Sequence, residues 1–195
     1  MGVAAYIVVG AASKRPCHYQ TVSLSAVEDF VTRLVLIALL LFGAPAQGSN
    51  DGLRMVGEAR LTYLFWSVYD SRLYSADGTY VAGQLPLRLE IQYLRDVYAA
   101  DLVRHTQSEW QNLGVAHAGQ QDWLDALSRL LPDVSKNDVL AVVVDEEGRS
   151  AFLVNGESLG QIDDPGFGEH FLNIWLSPRT SRPELRQALL GLPSP

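Results

Sequence analysis

Between Gly57 and Tyr74 the chain reads GEARLTYLFWSVYDSRLY, rich in aromatic and β-branched residues and without a proline or an internal glycine. Such a run packs badly as a helix and well as a pleated, covered strand. It predicts one long strand, or two strands joined by a bend, ending at the Asp77-Gly78 turn signal. Read as one continuous strand, Arg60, Thr62, Leu64, Trp66 and Val68 share one face, and Leu61, Tyr63, Phe65, Ser67 and Tyr69 the other. Both faces carry bulk, so cover on both sides is expected.

The rest of the pattern fixes the fold class. Leu85 to Tyr93 (LPLRLEIQY) alternates apolar and polar residues, as a half-exposed antiparallel strand does. From Asp96 to Leu113 the spacing becomes helical, with Val97, Tyr98, Asp101, Leu102, His105, Glu109 and Asn112 near one stripe and Gly114 as a stop. A second helix is expected from Gln120 to Leu131, its stripe made by Trp123, Leu124, Leu127 and Leu130 and its end set by Pro132. Asp138 to Asp145 and Ser150 to Asn155 predict a hairpin, and Glu157 to Ile162 a further short strand after Asn155-Gly156. Gly168 to Trp175 and Ser181 to Leu190 predict two final helices, the latter with Ser181 as N-cap and Gly191 as C-cap. Strands, two helices, three strands and two helices in segregated runs argue for an α+β fold with an antiparallel sheet.

Ahead of this pattern stands Leu34 to Phe42, LVLIALLLF, nine apolar residues after Arg33 and before Gly43-Ala44-Pro45-Ala46. It is shorter than the roughly 20 residues a membrane-spanning helix needs. Charge, apolar run and small residues in that order are the arrangement of a secretory signal peptide. Cleavage is expected after Ala46, giving a leader over residues 1–46 and a mature domain over 47–195, exported to the periplasm. The region before the apolar run is long for a signal and includes Glu28 and Asp29, which fits translation starting near Val31. The one cysteine, Cys17, falls in the leader, and no second apolar run long enough to span a membrane follows.

Charge and motifs narrow the function. A net charge of −7 over 195 residues leaves no basic footprint for nucleic acid. His18, His105, His117 and His170 have no metal-ligand spacing, and no metal or cofactor is expected. Gly156-Glu157-Ser158-Leu159-Gly160 matches the hydrolase elbow pattern, but a turn follows where a helix is required, so a hairpin strand is the reading. The acidic groups Asp145-Glu146-Glu147 and Asp163-Asp164 sit at glycine-containing turns, where they serve as solvated caps. Tyr98 and His105 are seven residues apart on one predicted helix, hence on one face two turns apart.

The segments Gly57 to Ser75, Leu87 to Val97, Trp123 to Leu140, Phe152 to Phe167 and Phe171 to Gly191 together resemble the chalcone isomerase-like family, in particular its exported bacterial members. The resemblance implies an open-faced sandwich: a large antiparallel sheet, a helical layer on one face and a ligand cleft between them. Members that are chalcone isomerases use an arginine, a strand threonine, a helical tyrosine and asparagine, and a late hydroxyl. Carried onto this chain, the tyrosine falls on Tyr98, the asparagine on His105, the threonine on Leu64 and the late position near Asn173 or Ile174. The arginine has no clean counterpart, with Arg54 and Arg60 both nearby.

That set lacks the threonine hydroxyl, which favours binding over catalysis. Members without isomerase activity hold a fatty-acid carboxylate with an arginine and a tyrosine, for which Arg60 and Tyr98 are the expected pair. The first expectation is therefore a periplasmic binder of a small apolar or amphipathic ligand, lined by Arg60, Leu64, Tyr98, His105 and Asn173. The rivals are a chalcone-type isomerase using Tyr98 and His105, and a structural envelope protein with a filled cleft.

Overall fold

A computed structural model describes residues 52–192. The leader, its cleavage after Ala46 and the start near Val31 lie outside those residues. The described chain forms six strands: β1 (Arg54–Tyr63), β2 (Trp66–Ser75), β3 (Leu87–Tyr93), β4 (Val139–Val144), β5 (Ser150–Val154) and β6 (Glu157–Ile162). They pair as one antiparallel sheet in sequence order, β1 to β6. Helices α1 (Ala99–Leu113) and α2 (Gln120–Leu130) come between β3 and β4. Helices α3 (Pro165–Leu176) and α4 (Pro183–Leu189) follow β6. The fold is thus the expected α+β open-faced sandwich.

The core lies between the sheet and the helices. Leu73, Leu89, Ile91, Leu140, Val142 and Phe152 come from the sheet; Trp110, Trp123, Leu127, Phe167 and Phe171 come from the helices. Trp110, Trp123 and Phe167 meet edge to face, with ring centroids 5.7 to 6.2 Å apart. Each such pair adds roughly 0.5–1.5 kcal/mol beyond the area it buries. The indole N–H groups are satisfied: Trp110 donates to the His170 carbonyl, and Trp123 donates to Asp164, both at 2.9 Å. Asp164 also accepts the Gly166 N–H at 2.9 Å and so caps α3. Gly168 lets α3 sit close on the sheet, because a Cβ there would come within 2.8 Å of Ser150 Oγ and of Val144 Cγ1.

Of the two forms expected of Gly57 to Tyr74, the structure has two strands joined by a bend: a hairpin in which Tyr63 pairs with Trp66 around the two-residue turn Leu64-Phe65. Two other local expectations change. Helix α1 begins at Ala99 rather than Asp96, because Val97 instead bridges Val134 and the Asp133 carboxylate accepts the Ala99 N–H at 2.8 Å. The last helix begins at Pro183, with Arg182 in the N-cap position and no side-chain cap from Ser181. Proline at the first helical position has its φ set for the helix and no N–H to satisfy. The acidic groups and the Gly156–Gly160 pattern behave as read from the sequence. Asp145 accepts the Glu147 and Arg149 N–H groups in its turn, and Glu157–Ile162 is a strand.

Candidate functional site

Sheet, α1, α3 and the end of the β1–β2 hairpin enclose a cleft of about 640 Å³. This is within the usual range for small-molecule sites. Ile91, Tyr93 and Leu140 form part of its sheet wall; Leu102, His105 and Thr106 come from α1, and Phe171 and Trp175 from α3. The hairpin adds Leu61, Tyr63, Trp66 and Val68.

A β-bulge aims the hairpin residues at the cleft. Leu61 pairs with Tyr69, but Thr62 pairs with Ser67, so Val68 is the extra residue of β2. A bulge breaks strict alternation and re-aims the side chains beside it. Val68 and its neighbour Tyr69 therefore both line the cleft.

Tyr69 is a half-buried polar group of the site. Its hydroxyl oxygen accepts the Trp175 indole N–H at 3.0 Å. Its own O–H meets no acceptor among the described residues, so the proton is free for a ligand. Burial raises the Tyr69 pKa to about 12, against the opposing pull of the Trp175 hydrogen bond and the nearby Arg182 charge. Tyr93 packs edge on to it at 6.2 Å and is also raised by burial. Both phenols are neutral donors at physiological pH.

The cleft is lined by three guanidiniums, Arg95, Arg104 and Arg182. Arg104 pairs with Asp101 on α1. Among the described residues no carboxylate pairs with Arg95 or Arg182. Glu109 is the opposing charge: it is buried, its Oε1 lies 3.9 Å from His105 Nε2, and its Oε2 has no hydrogen-bond partner. In a chain of net charge −7, three arginines against Asp101 and Glu109 give this region the opposite sign from the whole.

Of the residues chosen from sequence, His105 lines the cleft and is mostly exposed. The others do not meet there. Tyr98 precedes α1 in extended conformation, 70% exposed, and is not part of the cleft wall. Arg60 alternates with the cleft-lining Leu61 and so faces the other side of the sheet. There its Nε and Nη2 bond Asp70 at 2.6 and 2.8 Å. Leu64 is at the hairpin tip, 74% exposed with φ +54°. Asn173 borders a separate pocket of about 180 Å³ with Tyr80 and Leu85. The tyrosine and arginine that share the cleft are Tyr69 and Arg182, near enough for the guanidinium charge to act on the phenol.

A family model described as chalcone isomerase-like matches residues 44–191. The chain belongs to the chalcone isomerase-like family. An uncharacterized protein of Haemophilus influenzae is 29% identical over 157 residues, 80% of this chain and 76% of that protein. The crystal structure of a fatty-acid binding protein of Arabidopsis thaliana superposes with a TM-score of 0.56 at 13% identity, covering 76% of this chain and 91% of that one. At that identity the likeness is one of fold. Within this chalcone isomerase-like chain, the described residues hold no group of three or more His, Cys, Asp or Glu side chains placed to bind a metal. No described helix is long and apolar enough to cross a membrane.

Proposed function

We propose that this protein binds a small amphipathic anion, of the fatty-acid class, in the cleft beneath the β1–β2 hairpin. The observation that carries the reading is the presence, in one apolar cleft, of a half-buried phenol that keeps a free proton and an arginine without a carboxylate partner. A carboxylate accepts from both groups: a guanidinium forks onto it, and the neutral Tyr69 O–H adds a third donor. Ile91, Leu140 and Phe171 supply apolar surface for a chain. The fatty-acid binding relative in fold supports the same ligand class. The cleft works in the periplasm if the leader is cleaved as its sequence suggests.

Calorimetric titration of the purified protein with dodecanoate tests this. Binding should weaken about tenfold in Arg182→Ala, the loss of roughly one charge-assisted contact at a partly solvated site. Arg60→Ala, which touches only Asp70, should leave it unchanged. Equal effects of the two substitutions would put the carboxylate somewhere else.

One observation favours a second reading, an isomerase acting on an enone or related ligand. Glu109 is a buried carboxylate with an unpartnered oxygen beside His105, close to the neutral phenol of Tyr69. A carboxylate base and a phenolic donor are the parts of general acid–base catalysis. Chalcone turnover that disappears in both Glu109→Gln and Tyr69→Phe would establish it.

A further inference from the structure

The β1–β2 hairpin ends in four consecutive large apolar residues, all exposed: Tyr63 58%, Leu64 74%, Phe65 96% and Trp66 68%. Half of the exposed large hydrophobics among the described residues stand in this one tip. A protruding tip of this kind marks an interaction surface. Two local rules are broken together here. Bulky apolar side chains face water, and Leu64 adopts a left-handed φ of +54° where glycine or asparagine is the usual occupant.

We infer that this tip is a lipid-docking element, which inserts into an anionic phospholipid surface and sets the mouth of the cleft against the bilayer. The inference rests on the proposed ligand class, because an acyl-chain ligand would come from or go to such a surface. Three features point to lipid. The order of the side chains matches the interface. Leu64 and Phe65, without polar atoms, form the apex, while Tyr63 and Trp66, each with a polar handle, flank it where headgroups would lie. The tip is continuous with the cleft, since Tyr63 and Trp66 belong to its wall. The charge is also complementary. Thr62 to Ser67 contains no acidic residue, the nearby Asp70 is neutralised by Arg60, and of the guanidiniums lining the same cleft Arg104 is paired with Asp101 while Arg95 and Arg182 have no carboxylate partner among the described residues. Polybasic groups beside an inserted apolar element are attracted to anionic lipid.

Trp66 is the one exposed tryptophan of the four, so it reports on the tip directly. The experiment mixes the full chain with phosphatidylglycerol vesicles whose acyl chains carry bromine, and follows tryptophan quenching. Wild type should be quenched, Trp66→Phe should not, and the double variant Leu64→Asn, Phe65→Ser should partition at least tenfold more weakly. Asparagine tolerates the left-handed φ, so that variant keeps its hairpin. Both proteins share the apolar run Leu34 to Phe42, so any pull of that run on the vesicles is common to them.

Dodecanoate affinity in solution should be unchanged in the double variant, because neither Leu64 nor Phe65 lines the cleft. No quenching of the wild type at saturating lipid would overturn the inference. So would equal quenching in the double variant, or a Trp66 already shielded without vesicles by association of two copies. Loss of dodecanoate binding with quenching intact would refute the ligand reading and leave the lipid tip standing.

Discussion

The Tyr69 hydroxyl accepts the Trp175 indole N–H, so phenylalanine at this position would strand a nearly buried donor. The expected cost is about 1–3 kcal/mol, read as a lower urea midpoint. The same residue gives a pH dependence. Burial raises the folded pKa of Tyr69 to about 12 and also raises Tyr93, while an unfolded tyrosine titrates near 10. The stability that comes from keeping these phenols neutral is therefore complete below about pH 10 and lost as pH rises toward and beyond 12. For Tyr69 alone this is on the order of 2–3 kcal/mol. Urea midpoints should be flat from about pH 8 to 10 and fall above that, and Tyr69→Phe should make the alkaline fall shallower. A midpoint as steep in the variant as in the wild type would assign the loss to other groups.

At the scale of elements, the hairpin and α3 carry the most specific consequences. A Cβ on Gly168 would press on Ser150 Oγ and Val144 Cγ1, and Val144 is itself buried. Gly168→Ala should destabilise by about 1–3 kcal/mol through overpacking, despite alanine's better helix propensity. Leu64→Asn should do the reverse, raising stability by up to about 1 kcal/mol by relieving the left-handed strain. Chemical denaturation of the two variants checks both signs.

The turn of this hairpin is also where the sequence is least legible. Leu64-Phe65 contains no glycine, proline, asparagine or aspartate, so no turn chemistry marks it. The cue that was present is charge symmetry. Glu58 opposes Arg72 and Arg60 opposes Asp70 about Phe65, and complementary charges at mirrored positions are what paired strands favour. Strict alternation through the turn placed Arg60, Leu64 and Val68 on one face. The bulge at Val68, which nothing in the local composition announces, brought Trp66 and Val68 into the cleft beside Tyr69. Tyr98 was lost as a candidate for a different reason: the bridge between Val97 and Val134 delays the start of α1 past it.

Over the whole molecule, the fold was far more legible than the site. Alternation gave β3, the turns at Glu146-Glu147-Gly148 and Asn155-Gly156 gave β4 to β6, helical spacing gave α2 almost to the residue, and the segregated order gave the antiparallel sheet. Those signals are periodic or local, and a chain carries them along its whole length. The site depends on which side chains converge after a two-residue turn and a one-residue bulge, and neither has a period. Arg182 is a case in point: it stands between Ser181 and Pro183, where the capping of a helix was the only role its neighbours suggested.

Binding at this site should stabilise the entire domain by mass action, by about 2.7 kcal/mol at a hundredfold excess of ligand over Kd. For a chain of this size that is a rise in Tm of roughly 5–10 °C with saturating dodecanoate. The rise should shrink at high salt, because the guanidinium that meets the carboxylate is partly solvated. The most direct test is a crystal structure of the protein soaked with dodecanoate. The expected density places the carboxylate within hydrogen-bond distance of the Tyr69 hydroxyl and the Arg182 guanidinium, with the chain along Ile91, Leu140 and Phe171. A cleft that stays empty at saturating ligand, or a carboxylate seated on Arg60 across the sheet, would contradict it.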